Sequence, residues 1–365
     1  MKIKEIVQYL ETVAPPSYQE SYDNAGLLTG NADWECTGVL TTLDSTEAVV
    51  KEAVEKKANL IVAHHPIVFR GLKKINGKNY VEQAIIAAIK NDVAIYSIHT
   101  NLDNVMEGVN GRIADKLGLA NRKILVPKQG ELCKLVTFAP HQYAEEIQAA
   151  LFSAGAGSIG NYSQCSFNVK GEGTFRANEN THPFVGNIGE RHTEPETRIE
   201  TVFPKYLKNK VVAALSAAHP YEEVAYDIYL LENGHANIGA GLVGELENPV
   251  TEKEFLQLLK ERFMSEVVRH TALLGREIKK VAICGGAGSF LINAATCSGS
   301  DVYVTGDVKY HEFFDADGKI LLADIGHFES EQFTVDLLFD CLRTKFPTFA
   351  VLKSGVKTNP VYYFV

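Results

Sequence analysis

Short apolar runs that stop abruptly at a histidine constrain the fold of this chain more than any other feature. The two clearest are Leu60–Ala63, which stops at His64, and Val93–Ile98, which stops at His99. A helical pattern over Tyr80–Asn91 separates them. Short runs without polar alternation are typical of strands that are buried on both faces. Such strands, when they alternate with helices, predict a largely parallel sheet covered by helices.

The rest of the two outer segments continues this alternation. The other predicted helices there are Lys2–Val13, Thr46–Ala58, Gly108–Leu117, Glu252–Phe263, Ser289–Ser298 and Glu329–Lys345. The other predicted strands are Gly38–Leu43, Lys280–Cys284, Val302–Val304, Ile320–Ala323 and Val361–Val365. Both outer segments therefore have the pattern of the α/β class. We expect them to form two similar lobes that face each other.

Between the outer segments the predicted order changes to β-α-β-β-α-β, which is the order of a ferredoxin-like domain. Its predicted elements are a strand (Lys134–Phe138), a helix (Tyr143–Ala154), a hairpin (Ser163–Val169 and Gly173–Phe175, around Lys170–Glu172), a loop (Arg176–Pro195), a strand (Arg198–Val202), a helix (Pro204–Ala217) and a strand (Val224–Leu231). We predict an α/β domain of two lobes, residues 1–128 and 240–365, split by an inserted ferredoxin-like α+β domain, residues 129–239.

Charge and cysteine content limit the partners and the compartment. The 36 basic and 45 acidic residues give a formal net charge of −9. This balance disfavours direct binding of nucleic acid or of an anionic membrane surface, and no apolar run is long enough to predict a membrane span. The cysteines are scattered and form no Cys-x-x-Cys pair; they are Cys36, Cys133, Cys165, Cys284, Cys297 and Cys341. This usage predicts reduced core thiols in a cytoplasmic protein.

The strongest candidate site begins with His64 and His65, which follow a strand and precede Pro66. Ligands of open α/β sheets bind at the carboxyl ends of strands. Adjacent side chains in a continuing strand point to opposite faces, but a strand that ends at Pro66 lets both imidazoles face one cleft. This arrangement suits two nearby metals better than one. The alternative interpretation is a structural pair of histidines.

Two further strand ends carry residues of the same chemical types. Asp103 is a candidate oxygen ligand, and His99 is a candidate ligand or a donor beside the ligands; alone, this pair fits a capping aspartate with a buried histidine better. His327 and Glu331 are four positions apart, which places them on one face of a helix. The carboxylate of Glu331 can bridge two metals. The alternative interpretation is an exposed first helical turn, in which the helix dipole favours a glutamate. The coincidence of three such strand ends favours a metal site.

Two weaker candidates lie in the second outer segment, residues 240–365. Asp307 and His311, with Lys309 and Tyr310 between them, offer four groups that can transfer protons or support a neighbouring ligand. The glycine-rich turn Cys284–Ser289 offers backbone N–H groups to an anion, or is simply a tight turn. It matches neither the P-loop nor the dinucleotide fingerprint.

Four motifs, in this order, resemble the Nif-three-like family, whose members are often called GTP cyclohydrolase type 2 homologues. They are Tyr22–Leu27 (YDNAGL), Ala63–Pro66 (AHHP), His99–Asp103 (HTNLD) and Gly326–Glu331 (GHFESE). The middle segment is similar to the insert of the long bacterial members at Gly160–Tyr162, Gly171–Phe175 and His219–Glu223.

The resemblance implies a dinuclear site with two divalent metal ions per chain. By that pattern His64 and Asp103 bind one ion, His65 and His327 bind the other, and Glu331 bridges both. The ligand set suits Zn²⁺, Fe²⁺ or Mn²⁺, and we favour Zn²⁺. The resemblance also implies a toroidal homohexamer in which the insert resembles a signal-protein or copper-tolerance domain.

Three functional hypotheses follow. The first is a metal-dependent hydrolase of the GTP cyclohydrolase type, which opens the guanine ring and releases formate, with His99, Asp307 and His311 as candidates for proton transfer. The second is phosphoester cleavage at the same two metals. The third, supported by the insert, is a metal-binding, metal-delivery or regulatory assembly without turnover. The expected small-molecule partner of an active enzyme is a nucleotide or another phosphate-bearing compound.

Overall fold

The computed structural model describes residues 1–364, and they divide into two compact units. The first unit combines Met1–Pro127 with the described part of Asn237–Val365, and the second is Lys128–Ala236. The prediction of a mixed α/β protein is confirmed. No helix among the described residues is long and apolar enough to cross a membrane.

Helices and strands alternate along most of the chain. The helices are α1 (Ile3–Val13), α2 (Glu47–Glu55), α3 (Tyr80–Lys90), α4 (Thr100–Asp103), α5 (Val109–Leu117), α6 (Ala144–Ser153), α7 (Lys208–Ala218), α8 (Glu252–Phe263), α9 (Ile292–Cys297), α10 (His327–Glu331) and α11 (Thr334–Lys345). Short 3-10 helices cover Pro16–Tyr18, His141–Tyr143, Lys205–Leu207, Ser289–Leu291 and Tyr310–Ala316. The strands are β1 (Gly26–Thr29), β2 (Val39–Thr42), β3 (Leu60–Ala63), β4 (Ala94–Ser97), β5 (Ala120–Pro127), β6 (Leu132–Pro140), β7 (Ser166–Arg176), β8 (Arg191–Pro204), β9 (Tyr226–Leu231), β10 (Gly239–Thr251), β11 (Arg269–His270), β12 (Glu277–Ala287), β13 (Val302–Gly306), β14 (Leu321–Asp324) and β15 (Val351–Lys353).

The first sheet of the larger unit has the strand order β1-β4-β3-β2-β15. Strands β4, β3, β2 and β15 are parallel, and β1 joins the edge antiparallel to β4. All four residues of β3 are buried, as expected for a central strand with both faces covered. Leu40, Ile61 and Ile95 pack on one face against α2 and α3. The predicted parallel sheet is confirmed.

The second sheet of this unit has the order β11-β14-β13-β12-β10-β5. Strands β12, β13 and β14 are parallel, whereas β11, β10 and β5 pair antiparallel with their neighbours. The sequence pattern predicts no strand at β5, at β10 or at the short β11. β5 carries three consecutive polar residues, Asn121–Lys123, and β10 contains three glycines, and local pattern alone assigns such segments to loops. Their pairing with each other stabilises both.

One hydrophobic core joins the two sheets. Val62 and Tyr96 of the first sheet and Ile283 and Val304 of the second belong to the same buried cluster, together with side chains of α1, α5, α8 and α11. Burial of apolar surface on this scale fixes the two sheets within one packed unit. The carboxyl ends of β3, β4 and β14 are thereby held close together.

The smaller unit is an antiparallel sheet of order β7-β8-β6-β9 with α6 and α7 on one face. Leu135 and Ile199 of the sheet pack against Ile147 of α6 and Leu215 of α7. Side chains of alternating residues supply this core, as expected for a sheet with one covered face.

The predicted hairpin around Lys170–Glu172 is wrong, because β7 is a continuous strand that pairs with β8 along its whole length. Glycines suggest a turn in the sequence, but neither Gly171 nor Gly173 has a positive φ. A Cβ atom at Gly173 would lie 2.0 Å from Oε2 of Glu196, so this glycine permits a close side-chain approach. The true connection, residues 177–190, is shorter than the predicted loop.

Two predictions at the C-terminal side are also corrected. The predicted helix Glu329–Lys345 is divided into α10 and α11, which lets Glu331 and Leu338 face different parts of the unit. The predicted strand Val361–Val365 does not form over residues 361–364, and Val365 lies outside the described residues.

Candidate metal centre

The candidate ligands lie beyond the carboxyl ends of three strands, β3, β4 and β14. His64 and His65 follow β3, and Asp103 is the last residue of α4, which follows β4. His327 and Glu331 are the first and last residues of α10, which follows β14. These strands belong to both sheets of the larger unit, so the two sheets supply the donors jointly.

Side-chain donors of the described chain converge in three overlapping groups. The groups are His64–Asp103–Glu331, His65–His327–Glu331 and His64–His65–His99, and the donor atoms within each group lie within 4.8 Å of one another. Glu331 belongs to two of them. The structure thus brings together the residues that the sequence assigned to one site.

The ring of His64 is completely buried and has one nitrogen free for a ligand. Its Nδ1 donates to the carbonyl oxygen of Ile98 at 2.9 Å, so the lone pair is on Nε2. No described residue hydrogen-bonds to Nε2, which lies 3.5 Å from Oδ1 of Asp103 and 3.8 Å from Oε1 of Glu331. Burial lowers the pKa of His64 and keeps the ring neutral, as metal ligation requires.

Asp103 faces His64 with an equally unsatisfied atom. Its Oδ1 is buried and has no hydrogen-bond partner among the described residues. Burial, followed by the charge of Glu331, raises the pKa of Asp103 well above its ordinary value. Unpartnered buried polar atoms are rare and costly. Two ligands of a tetrahedral ion at about 2.0–2.1 Å would lie about 3.3–3.4 Å apart, close to the spacing here. A metal ion therefore fits between them.

His65 and His327 form the second half of the cluster, and an aspartate orients each of them. Nδ1 of His65 lies 2.7 Å from Asp44, and Nδ1 of His327 lies 2.8 Å from Asp307. Their Nε2 atoms are 3.4 Å apart and lie 2.9 and 3.0 Å from Oε2 of Glu331. This pattern, a carboxylate behind each histidine, is typical of metal-ligating imidazoles.

The carboxylates also control the protonation of both rings. Burial alone would lower the pKa of His65, but Asp44 and Glu331 raise it to about 10. Burial would likewise lower the pKa of His327, but Glu331 and Asp307 raise it to about 11. A metal that binds at neutral pH must therefore displace protons from these nitrogens.

Glu331 connects the two halves. Oε1 faces His64, whereas Oε2 faces His65 and His327. Its side chain is only 4% exposed. Burial alone would raise its pKa, but the surrounding histidines, above all His327, hold the pKa of Glu331 well below the ordinary value. A carboxylate with one oxygen on each side is suited to bridge two ions.

The glycine-rich turn after β12 makes room for this carboxylate. Gly286 has a φ of +64°, and a Cβ atom there would lie 2.4 Å from Oε1 of Glu331. The N–H groups of Gly285, Gly286 and Gly288 are already bonded, to side chains of Asn110, Ser330 and Thr305. The turn is therefore a close backbone approach, and the interpretation as an anion site is not supported.

His99 lies at the side of the cluster and is held by Asp23, a carboxylate to which the sequence pattern assigns no role in the site. Its Nδ1 is 2.8 Å from Oδ1 of Asp23, whose Oδ2 also accepts from the backbone N–H of Thr100 at 3.0 Å. Burial would raise the pKa of Asp23, but hydrogen bonds from His99 and Thr100 lower it to about 2. The ionised Asp23 keeps a proton on Nδ1 and leaves Nε2 of His99 available.

The other two candidates for proton transfer are placed differently. Asp307 contacts His327 through the hydrogen bond above, and that bond lowers the pKa of Asp307. His311 lies on an exposed 3-10 helix, where its ring is 5.2 Å from that of Tyr310, and it is in none of the three donor groups. Asp307 therefore supports a histidine, whereas His311 stands apart from the cluster.

A cavity of about 580 Å³ adjoins His65 and His327. Its wall includes Arg269, whose guanidinium pairs with the buried Asp324, and Tyr363 from the segment after β15. A cavity of this size can admit most of a small ligand. The donor cluster is thus accessible from one side.

The sequence contains a signal for the two aspartates that its motifs leave without a role. Asp44 follows the end of β2, the neighbour of β3, much as His64 follows β3. Asp23 precedes β1 at the other edge of the same sheet. Polar residues beside strand ends of one sheet are candidates for the same site, even when their own motif is ordinary.

The cysteines are all free, but they are not all core residues. Cys36, Cys133 and Cys284 are buried, and burial raises their pKa. Cys297 is exposed, so the prediction of a core thiol is wrong there.

The fold and the cluster together define a mixed α/β protein with histidine and carboxylate groups that can hold metal. Comparison with known proteins makes the class specific. The chain belongs to the Duf34/NIF3 (NGG1p interacting factor 3) family, whose model matches residues 1–360.

Two relatives illustrate the similarity in sequence. A protein of Halalkalibacterium halodurans is 42% identical over 361 residues, which cover 97% of each chain. A protein of Bacillus subtilis is 40% identical over 363 residues, which cover 98% of this chain and 97% of the relative. Both are called GTP cyclohydrolase 1 type 2 homolog.

A solved structure shows the same similarity in three dimensions. A Bacillus cereus protein related to NIF3 superposes with a TM-score of 0.88 at 38% identity. The match covers 100% of this chain and 99% of that one. The fold therefore agrees with a solved member of the same family.

Proposed function

We propose that the protein is a metal-dependent hydrolase of the GTP cyclohydrolase type, which opens the guanine ring and releases formate. One observation carries the proposal: the buried Nε2 of His64 and Oδ1 of Asp103 face each other without partners, beside Glu331. The names of the relatives support guanine nucleotide as the substrate.

The site would hold two divalent ions. His64 and Asp103 would bind one ion, His65 and His327 the other, and Glu331 would bridge them. Nitrogen and oxygen donors in this proportion suit Zn²⁺, which we favour over Fe²⁺ and Mn²⁺. When bound, two such ions would lower the pKa of a water molecule towards about 7 and would stabilise negative charge on a reacting oxygen.

The residues of this chain would then orient the reactants and move protons. Asp44 and Asp307 fix the rings of His65 and His327 through Nδ1. Asp23 holds the proton on Nδ1 of His99, so Nε2 is the atom that accepts or returns a proton. We favour His99 for this role because its ring lies 5.3 Å from that of His64, whereas His311 is in none of the donor groups.

Phosphoester cleavage remains the second candidate, since the same cluster and cavity suit a phosphate-bearing substrate. When bound, two such ions would stabilise both the attacking and the leaving oxygen of a phosphoryl group. A panel of phosphoesters is therefore tested beside GTP.

We further propose that the larger unit consists of two similar α/β lobes and that the smaller unit is an inserted ferredoxin-like domain. The strand order β7-β8-β6-β9, with α6 and α7 on one face, supports the second statement. By family resemblance the chain would assemble into a toroidal homohexamer in the cytoplasm. The mass of the purified protein in solution tests the assembly, because a hexamer has six times the chain mass.

The function is tested on protein purified without chelators. The amount of metal per chain is measured, and the protein is incubated with GTP and with the phosphoesters. His65→Ala and Glu331→Ala are compared with wild type, and His182→Ala, which removes an exposed imidazole of the smaller unit, is the matched control.

We expect metal-dependent formate release that both cluster variants lose and the control keeps. Metal content should fall in the cluster variants alone. A wild type that keeps its metal but turns over GTP and the phosphoesters no faster than the variants would refute the hydrolase. That result would favour a metal-holding or metal-delivery protein.

A further inference from the structure

Two aromatic side chains, Tyr22 and Phe69, lie exposed beside the donor cluster. Their ring centroids are 6.4 Å apart, and the residues are 64% and 45% exposed. We call them the aromatic pair. Other aromatic rings of this chain are exposed too, and this pair is set apart by its position next to His99 and the donor cluster.

The aromatic pair is continuous with the cluster. The ring of Phe69 meets that of His99 edge-on at 6.2 Å, and His99 lies 5.3 Å from His64 and 5.5 Å from His65. The series of rings therefore leads from the surface to the donors. A planar ligand that rests on Phe69 would present one edge to the cluster.

The two loops that carry the pair are fixed to each other. Nδ2 of Asn24 donates to the carbonyl oxygen of Val68 at 2.6 Å, which ties the loop of Tyr22 to the loop of Phe69. The bonds of Asp23 to His99 and Thr100 hold the first loop from its other side. Binding on this surface therefore costs little loop ordering.

A second, independent feature follows Phe69 directly. Residues 70–78, which we call the basic loop, contain Arg70, Lys73, Lys74 and Lys78 and no acidic residue, in a chain of net charge −9. All four cations are exposed, and none forms an ion pair among the described residues. Arg70 directly follows Phe69, and cations combined with aromatic rings hold the phosphates and bases of single-stranded nucleic acids.

The basic loop has a defined backbone. The carboxylate of Glu82, near the start of α3, accepts from the N–H groups of Asn76 and Lys78 at 2.9 and 3.0 Å. Asn79 caps the same helix by accepting from the N–H of Glu82. The cations are thus displayed on a loop that is anchored at one end by α3 and at the other by β3.

We propose that the aromatic pair stacks against the purine base of a nucleotide and that the basic loop holds its phosphate groups. This subsite rests on the proposed function, because it places the base beside His99 and the metal ligands. Stacking uses the face that every base has, so the pair itself distinguishes purine nucleotides little from one another. Groups that contact the edge of the base would have to distinguish guanine from adenine.

The test measures equilibrium binding of GTP, ATP and inorganic triphosphate to the metal-loaded full chain at low temperature. Phe69→Ala removes the stacking ring, and Phe69→Tyr keeps it. Phe184→Ala removes a phenylalanine ring of the smaller unit that is also 45% exposed and is the control. We expect Phe69→Ala to weaken GTP and ATP by about tenfold and to leave inorganic triphosphate unchanged. Phe69→Tyr and the control should bind like wild type.

The basic loop is tested by the double variant Lys73→Gln/Lys74→Gln against Lys208→Gln/Lys210→Gln, which removes two exposed charges from the smaller unit. The first pair should weaken all three ligands and reduce the dependence of GTP binding on salt. The second pair should do neither. A single-stranded oligonucleotide is included as a competing ligand.

Three results would overturn the subsite: GTP binding that Phe69→Ala leaves intact, two double variants that behave alike, or an oligonucleotide that binds more tightly than GTP through the same residues. The two proposals can fail separately. Nucleotide binding that depends on Phe69 without any turnover supports the subsite and refutes the hydrolase. Turnover with an unchanged KM for GTP in Phe69→Ala supports the hydrolase and refutes the subsite.

Discussion

The carboxylate of Asp44 lies 2.7 Å from Nδ1 of His65 and thereby decides which nitrogen of that ring faces the donor cluster. Burial alone would raise the pKa of Asp44, but the hydrogen bond from His65 lowers it. The ionised carboxylate accepts the proton of Nδ1, so Nε2 points to Glu331. The orientation of His65, a proposed ligand, thus depends on Asp44. Asp44 contacts the far side of the imidazole ring, away from Glu331.

Asp44→Asn should weaken metal binding because the amide keeps the shape of the contact but removes its charge. We expect the affinity to fall by about 10- to 100-fold, as measured by competition with a chelator. Asp33→Asn, which removes an exposed carboxylate paired with Lys4, is the control and should leave the affinity unchanged. Equal affinities of wild type and Asp44→Asn would contradict the role of Asp44.

Gly286→Ala should disturb the cluster, because the new Cβ would meet Oε1 of Glu331 at 2.4 Å. Gly118→Ala is a matched control, since Gly118 has a similar φ of +67° but no atom within 4 Å of the added Cβ. Left-handed backbone costs alanine about 1–2 kcal/mol, so both variants should lose some stability against urea. Only Gly286→Ala should lose metal. Equal metal content in the two variants would show that the clash at Glu331 is harmless.

Glu52 should contribute a stability that disappears in acid. Burial alone would raise its pKa, but hydrogen bonds from Lys56, Ser354 and the N–H of Gly355 lower it from 4.5. Because the folded pKa is the lower one, the contribution is present above pH 4.5 and is lost as the pH falls through the folded value.

The corresponding experiment compares urea midpoints of wild type and Glu52→Gln at neutral pH and at about pH 3.5. The variant should be less stable at neutral pH, and the difference should shrink in acid. Glu55→Gln, an exposed position on the same helix, should show no such change. A difference that stays constant with pH would mean that the hydrogen bonds of Glu52 do not perturb its titration.

Gly173→Ala should destabilise the smaller unit, since its Cβ would lie 2.0 Å from Oε2 of the largely buried Glu196. The expected cost is about 1–3 kcal/mol, measured as a shift in urea unfolding. Gly171→Ala, two positions earlier on β7, adds a Cβ to open space and should be neutral or slightly stabilising. If residues 170–172 formed a turn, the two substitutions would not differ in this way.

The parts of the fold that could be predicted from the sequence are those with local causes. Leu60–Ala63 is apolar at every position, and a run of this kind has few stable environments other than the middle of a sheet. The strand ends where the apolar run ends, so the position of His64 directly after the strand could also be predicted. The spacing of His327 and Glu331 is likewise local, because four positions make one turn of α10.

The parts that could not be predicted depend on partners far along the chain. Strands β5 and β10 form antiparallel pairs in which Ile124 lies opposite Leu242, and neither sequence is apolar enough to indicate a strand alone. Asp23 is 76 positions from His99. Nothing in the local pattern around such a residue says which ring it will meet. Long-range pairing, not propensity, decides these features.

The donor cluster combines residues from distant parts of the chain, since His65 and Glu331 are 266 positions apart. At a synthesis rate of roughly 5–20 residues per second, Glu331 would leave the ribosome about 13–53 s after His65. During that interval the nascent chain carries His64, His65 and Asp103 without the carboxylate that faces both halves. The full set of candidate donors would therefore be available to a metal only after Glu331 has been synthesised.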